Sequence, residues 1–177
     1  MKKVLLMISI IFFLSQSYVQ SCEKEGLNKL TDLNIFGYEM RTCKKGKWNG
    51  ATQVFSQDGK LVIEGNYKDD HMDGIFKEYY EDGKLAAETN YINDKPSGFF
   101  KRYDKDGNRI LEGKYTNGKL DKWSEYYKNG VIKSEMIFKD GKSFAKKIFD
   151  EQGKLIAELN QQKILEEARK RGKDIKN

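Results

Sequence analysis

The residues of this chain that could do chemistry are few: one histidine, His71, two cysteines, Cys22 and Cys43, and five glutamates in a regular series, Glu64, Glu88, Glu112, Glu135 and Glu158. A nucleophile triad needs a base and an orienting group that converge on it, and a zinc site needs three or four ligands. One histidine and two cysteines supply neither set, so catalytic residues, metal and cofactor are all expected to be none. His71 leads into Met72-Asp73-Gly74, the setting of a solvated turn residue. The glutamates could in principle pair as acid and base. Their spacing of 24, 24, 23 and 23 residues instead places them on alternate strands about 10 Å apart. With lysines nearby they read as a repeated solvent-facing ladder. No glycine-rich loop runs from a strand into a helix in the way a phosphate site requires, and the chain is read as no enzyme.

Cys22 has a chemistry of a different kind. Residues 1–21 have the layout of an export signal: Lys2 and Lys3, the apolar run Val4 to Leu14, then small and polar residues. That run is too short to cross a hydrocarbon core, which needs about 20 residues. The segment Val19-Gln20-Ser21-Cys22 resembles the lipobox of bacterial lipoproteins, which implies a diacylglycerol on the Cys22 sulfur and a membrane tether. The alternative is a Cys22–Cys43 disulfide in an oxidising compartment. Cys43 stands where other copies of the repeat carry Tyr or Phe, a place where a free thiol acts as a small apolar group. Either fate makes the protein exported, to the cell envelope as a lipoprotein or to the periplasm or medium.

The formal charge of +6 arises from 33 basic and 27 acidic residues, and its location matters more than its size. Lys2 and Lys3 lie in the leader, and Lys163 to Lys176 holds six basic residues against three acidic ones. Setting these aside leaves 25 basic against 24 acidic residues with the signs interleaved. Such a middle offers no phosphate-tracking stripe, so no nucleic acid is expected as a partner. Ten Tyr, ten Phe and two Trp supply the apolar area that disordered chains lack.

The elements that must position all of this repeat. Asp58-Gly59, Asp82-Gly83, Asp106-Gly107, Asn129-Gly130 and Gln152-Gly153 recur in register with the glutamates. Four residues before each glycine stands Phe55, Tyr79, Tyr103, Tyr126 or Phe149, and eight residues after come Tyr67, Tyr91, Tyr115 and Phe138. The last copy carries Gln161 there instead. Asp-Gly and Asn-Gly provide the positive φ that hairpin turns need, making Gly59, Gly83, Gly107, Gly130 and Gly153 the turn residues. After each turn the sequence alternates with period two, as in Leu61, Ile63, Gly65 and Tyr67 against Val62, Glu64 and Asn66, which is the pattern of a strand. A second set of turns is expected near Asp94-Lys95, Asn117-Gly118 and Asp140-Gly141.

Hairpins joined by short turns predict an all-β fold, an antiparallel meander of repeated β-hairpins whose units touch only their neighbours. Both aromatic series, Phe55 to Phe149 and Tyr67 to Phe138, are expected to form its core, with the glutamates on the wet face. The domain plan is a signal peptide over 1–21, a linker over 22–37, about five repeats over 38–160, and a tail over 161–177. In the tail, Leu159, Ile164, Leu165 and Ala168 followed by Gly172 predict a short C-terminal helix that caps the array.

The pattern Tyr-x-x-Asp-Gly-Lys-Leu-x-x-Glu-x-x-Tyr, carried best by Tyr79 to Tyr91, resembles the MORN repeat in its bacterial variant form, a group that includes the YwqK-like antitoxins. The resemblance spans roughly residues 38 to 160. It implies a non-enzymatic protein-binding or scaffolding module with an unknown protein partner. The alternative it implies is an antitoxin or immunity protein that neutralises a toxin. It brings no catalytic residues with it.

Overall fold

A computed structural model of the protein describes residues 22, 24–30, 37–139 and 141–160. The export signal and the C-terminal helix expected from the sequence lie outside these residues. The described chain forms one antiparallel sheet of 13 strands. In chain order these are β1 (Gly26–Leu30), β2 (Tyr38–Lys44), β3 (Lys47–Phe55), β4 (Leu61–Lys68), β5 (His71–Met72), β6 (Gly74–Tyr79), β7 (Leu85–Ile92), β8 (Lys95–Tyr103), β9 (Arg109–Thr116), β10 (Lys119–Tyr126), β11 (Ile132–Lys139), β12 (Lys142–Phe149) and β13 (Leu155–Asn160). Each strand pairs with its sequence neighbours, the short β5 sitting beside β4. This is the expected meander, with one addition. Part of the segment read as a linker is an edge strand, β1, whose five residues pair with β2.

Two kinds of turn alternate along the sheet. At Gly59, Gly83, Gly107, Gly130 and Gly153 φ lies between 78 and 88°, and each glycine N–H donates to the carbonyl three residues earlier at 2.9–3.0 Å. A β-carbon there would meet nothing at Gly59, Gly83, Gly107 or Gly130, so it is the left-handed backbone and not space that demands glycine. These loops are three residues long, and the Asp, Asn or Gln before the glycine keeps a negative φ, the three-residue hairpin form rather than the two-residue one. The second turns are the two-residue kind, with both central residues left-handed: Lys45-Gly46, Asp69-Asp70, Asn93-Asp94 and Asn117-Gly118. The turn expected at Asp94-Lys95 is thus one residue earlier, and Lys95 already pairs with Ile92.

The three-residue turns each add one residue to the outgoing strand. Phe55 pairs with Leu61 but Val54 with Ile63, leaving Val62 over, and the same surplus recurs at Ala86, Ile110, Lys133 and Ile156. Such a bulge resets the in–out alternation. It sorts the two aromatic series onto opposite faces, which corrects the expectation that both form the core. Tyr67 and Tyr91 are buried, together with Trp48, Val54, Ile63, Met72 and Phe76, on one face, here the apolar face. Tyr115 and Phe138 continue that face half-buried. Phe55, Tyr79, Tyr103, Tyr126 and Phe149 are half-buried on the other face, alongside the glutamates.

On the apolar face rings lie flat over glycine. A β-carbon on Gly65 would come within 2.5 Å of the Phe76 ring, and one on Gly113 within 2.4 Å of the Phe100 ring. The N-terminal end is closed by a Cys22–Cys43 disulfide, with Cys43 1% exposed and opposite Trp48. Beside it Glu39, also buried, pairs with Arg41 at 2.6 Å and accepts the Thr52 hydroxyl at 2.7 Å. Arg41 in turn lies over the Tyr67 ring at 4.4 Å.

Candidate binding face

The polar face carries a row of side chains that face one another directly across the sheet. Its order is Lys29, Met40, Gln53, Glu64, Lys77, Glu88, Lys101, Glu112, Ser124, Glu135, Lys147, Glu158. From Glu64 to Glu112 acid and base alternate strand by strand, and opposite charges in such pairs attract. Lys77 reaches Glu64 at 3.2 Å, Lys101 reaches Glu88 at 3.2 Å, and Lys147 reaches Glu158 at 4.0 Å. Ser124 breaks the alternation between Glu112 and Glu135. There Arg109 serves Glu112 at 2.6 Å and Lys122 serves Glu135 at 2.5 Å.

The half-buried tyrosines explain why aromatic and acid share a repeat. The Tyr79 hydroxyl donates to Glu64 at 2.7 Å and the Tyr103 hydroxyl to Glu88 at 3.1 Å, each across to the preceding repeat, and Tyr126 bonds Glu112 in the same way. The Tyr79 bond is the main reason the Glu64 carboxyl lies below its ordinary range. Burial, then the bond and charge of Glu64, push the Tyr79 phenol up to about 12. Burial and the bond to Glu112 do the same to Tyr126, also to about 12. Glu64 is thus a fixed acceptor whose proton is held off, and each glutamate of the row has a lysine or arginine at hand. That arrangement opposes general-acid use, which needs a carboxyl raised toward neutrality.

Exposed apolar side chains flank this row, among them Ile75 at 56% exposure, Phe99 at 67% and Ile137 at 37%. Phe99 separates two shallow clefts. One, of about 390 Å³, is lined by Ile75, Asn90, Gly98 and Lys101, and the other, of about 170 Å³, by Lys114, Lys122, Tyr126 and Glu135. A large exposed ring flanked by charged and hydrogen-bonding groups has the make-up of a protein-contact anchor. Nothing in the sequence periodicity singles out Phe99, because it occupies an ordinary strand position.

The remaining candidates do not converge. His71, expected in a turn, opens β5 just after the Asp69-Asp70 turn and is exposed, with Nδ1 2.6 Å from Asp94 Oδ2. Among the described residues no group of three or more His, Cys, Asp or Glu could hold a metal ion, and no helix is long and apolar enough to cross a membrane. The disulfide occupies the Cys22 sulfur, which as a thioether to lipid could not form it.

The model of the MORN repeat variant matches residues 48–69, 72–93 and 122–140. These segments are the hairpins β3–β4, β6–β7 and β10–β11, two of them with the turn that follows. No curated protein matches the chain. Among solved structures, a mutant of TarM from S. aureus in complex with fondaparinux, alpha-GlcNAc-glycerol and UDP is 10% identical, over 78% of this chain and 23% of that one, with a TM-score of 0.43. The glycosylation-associated Gap123 complex from Streptococcus agalactiae is 13% identical, over 80% and 24%, with a TM-score of 0.35. The chain spans about a quarter of the length of the solved structures it matches.

Proposed function

We propose that this protein is an exported, non-enzymatic module that holds a protein partner against its polar face. MORN repeats suggest a protein-binding or scaffolding role, and the observation that carries the reading is Phe99, the most exposed large apolar residue of the sheet, set between two clefts on a rigid charge ladder. Repeat arrays present extended surfaces of this kind. Export accords with the leader and with a buried disulfide, which persists in oxidising compartments.

The experiment is affinity capture from the producing cell's envelope fraction with the wild-type protein and with Phe99→Asp. A partner retained in stoichiometric amount by the wild type and released by the variant supports the reading. Capture of nothing, or of a partner indifferent to Phe99, ends it. Intact-mass analysis of the same material distinguishes a disulfide from a lipid on Cys22, and with it a free from a tethered form. An antitoxin or immunity role would be the same face occluding a toxin. Rescue of growth on co-expression with the captured partner is its test.

A further inference from the structure

The charge ladder is unfinished at both ends, and the ends match. It begins on the outer strand β1 with Lys29, an exposed cation lying over the Tyr38 ring at 4.0 Å, and finishes on the outer strand β13 with Glu158. Among the described residues β1 is paired only with β2 and β13 only with β12. Glu64 and Glu88 each receive a lysine and a phenol from the strand that follows. Among the described residues Glu158 has one cation, Lys147 from the strand before, at 4.0 Å. Apolar side chains are exposed on both outer strands: Leu27 on β1 is 60% exposed, and Leu155, Ile156 and Leu159 on β13 are 45, 61 and 45% exposed. Open strand edges with apolar side chains are templates for pairing with another chain.

We infer that the occupant of the β13 edge is β1 of a second copy of this chain, added head to tail so that Lys29 stands opposite Glu158. Twelve strands alternate in direction along the sheet, so its first and last run opposite ways. A copy translated along the array therefore brings β1 antiparallel to β13, with the polar faces on the same side. Setting Lys29 against Glu158 fixes the rest of the register. Leu30 falls opposite Ala157, and both belong to the apolar face. Asn28 meets Leu159 on that same face, and Leu27 meets Asn160 on the polar face. The ladder then reads Glu135, Lys147, Glu158, Lys29, Met40 without a break in sign. A one-residue slip would turn every side chain to the wrong face. Because the two patches differ, the contact is heterologous and continues into chains or a closed ring rather than stopping at a pair. This does not rest on the proposed partner face, since the edges lie at the ends of the array.

The test is sedimentation velocity of the processed, disulfide-closed protein over a concentration series, at about 0.01 M and about 1 M salt, between which the Debye length falls from roughly 30 to 3 Å. Growth beyond a dimer that weakens in high salt is expected. Lys29→Glu and Glu158→Lys should each lower the association constant about tenfold, by placing like charges in opposition. The double variant, or an equimolar mixture of the two single variants, should restore it. Phe99→Asp should leave it unchanged. Absence of growth, growth that ends at a dimer, or singles that are harmless or not rescued by the double variant would each overturn the inference.

Discussion

The backbone N–H of Trp48 donates to Asp70 Oδ1 at 2.7 Å, and 24 residues on the N–H of Met72 donates to Asp94 Oδ1 at the same distance. In return the Asp70 N–H reaches the Trp48 carbonyl at 3.0 Å and the Asp94 N–H the Met72 carbonyl at 3.1 Å. Each two-residue turn thus clasps the start of the hairpin before it. One further period gives Pro96 and Gly118. Proline has no N–H to offer, and at Gly118 the carboxylate is missing too.

That clasp predicts unequal effects of similar changes. Asp70→Ala and Asp94→Ala should each cost about 1.5–3 kcal/mol, the scale of a hydrogen bond to a charged group left with an orphaned donor. Asp70→Gly should cost less, because at φ 74° glycine relieves backbone strain while the bond is lost. Gly118→Asp should gain nothing. Adding Pro96→Met should convert Gly118→Asp into a stabilising change, so urea midpoints for this pair should show positive coupling. Additive behaviour would refute the clasp.

The disulfide closes the end of the core where Trp48 lies. Reduction, or Cys22→Ser, should lower stability by about 3 kcal/mol for a link of this span. It should also shift the emission of Trp48, which is 6% exposed and opposite Cys43. A protein whose melting temperature and tryptophan emission ignore reductant would show that the bridge does not hold this end.

How much of this was legible in the sequence differs from element to element. The glycines of the three-residue turns, the period and the glutamate series could be read directly, because a positive φ and a period of two leave marks on residue type. The sidedness of the aromatics could not. The surplus residue at Val62 and its equivalents has no signature of its own, since valine, alanine, isoleucine and lysine all fill it. Without it Phe55 and Tyr79 look like core, and with it they stand beside Glu64. The two-residue turn at Asp69-Asp70 was hidden, and the one at Asn93-Asp94 could be read only to within a residue, because aspartate and asparagine enter the left-handed region without a glycine to announce them. Lys29 gave no signal in a segment read as linker. Its role follows only from the register of β1 on β2.

Glu64 and Glu78 should respond to pH in opposite senses. The Tyr79 bond lowers the Glu64 carboxyl, so its contribution is fully present above the unfolded-state value and is lost as pH falls through the lower folded value. Solvent screening limits that contribution to about 1 kcal/mol or less. Glu78, 6% exposed on the apolar face, is raised by burial, with Arg102 working against the rise. The folded state then holds its proton longer than the unfolded chain. Stability should fall as pH climbs from the unfolded value to the raised one. Glu78→Gln should therefore stabilise the protein at neutral pH and flatten the decline. Tyr79→Phe should remove the acid-side loss at Glu64. Chemical unfolding of the three proteins from acid to neutral pH checks both signs, and parallel curves would contradict them.

Gly113 separates two reasons for a glycine. Its backbone is not left-handed, yet a β-carbon would lie 2.4 Å from the Phe100 ring and 2.5 Å from the Lys122 carbonyl. At Gly65 the three nearest atoms all belong to the Phe76 ring, from 2.5 Å. A ring can tilt where a sheet carbonyl cannot, because the carbonyl is tied to its strand. Gly113→Ala should cost about 3 kcal/mol and Gly65→Ala nearer 1, within the range for overpacked sites. Removing the ring should distinguish them further. Combined with Phe76→Leu, Gly65→Ala should become nearly harmless. Combined with Phe100→Leu, Gly113→Ala should keep most of its cost, because the Lys122 carbonyl remains. Equal rescue at the two sites would mean that the rings alone require the glycines and that the spacing between β9 and β10 can give way.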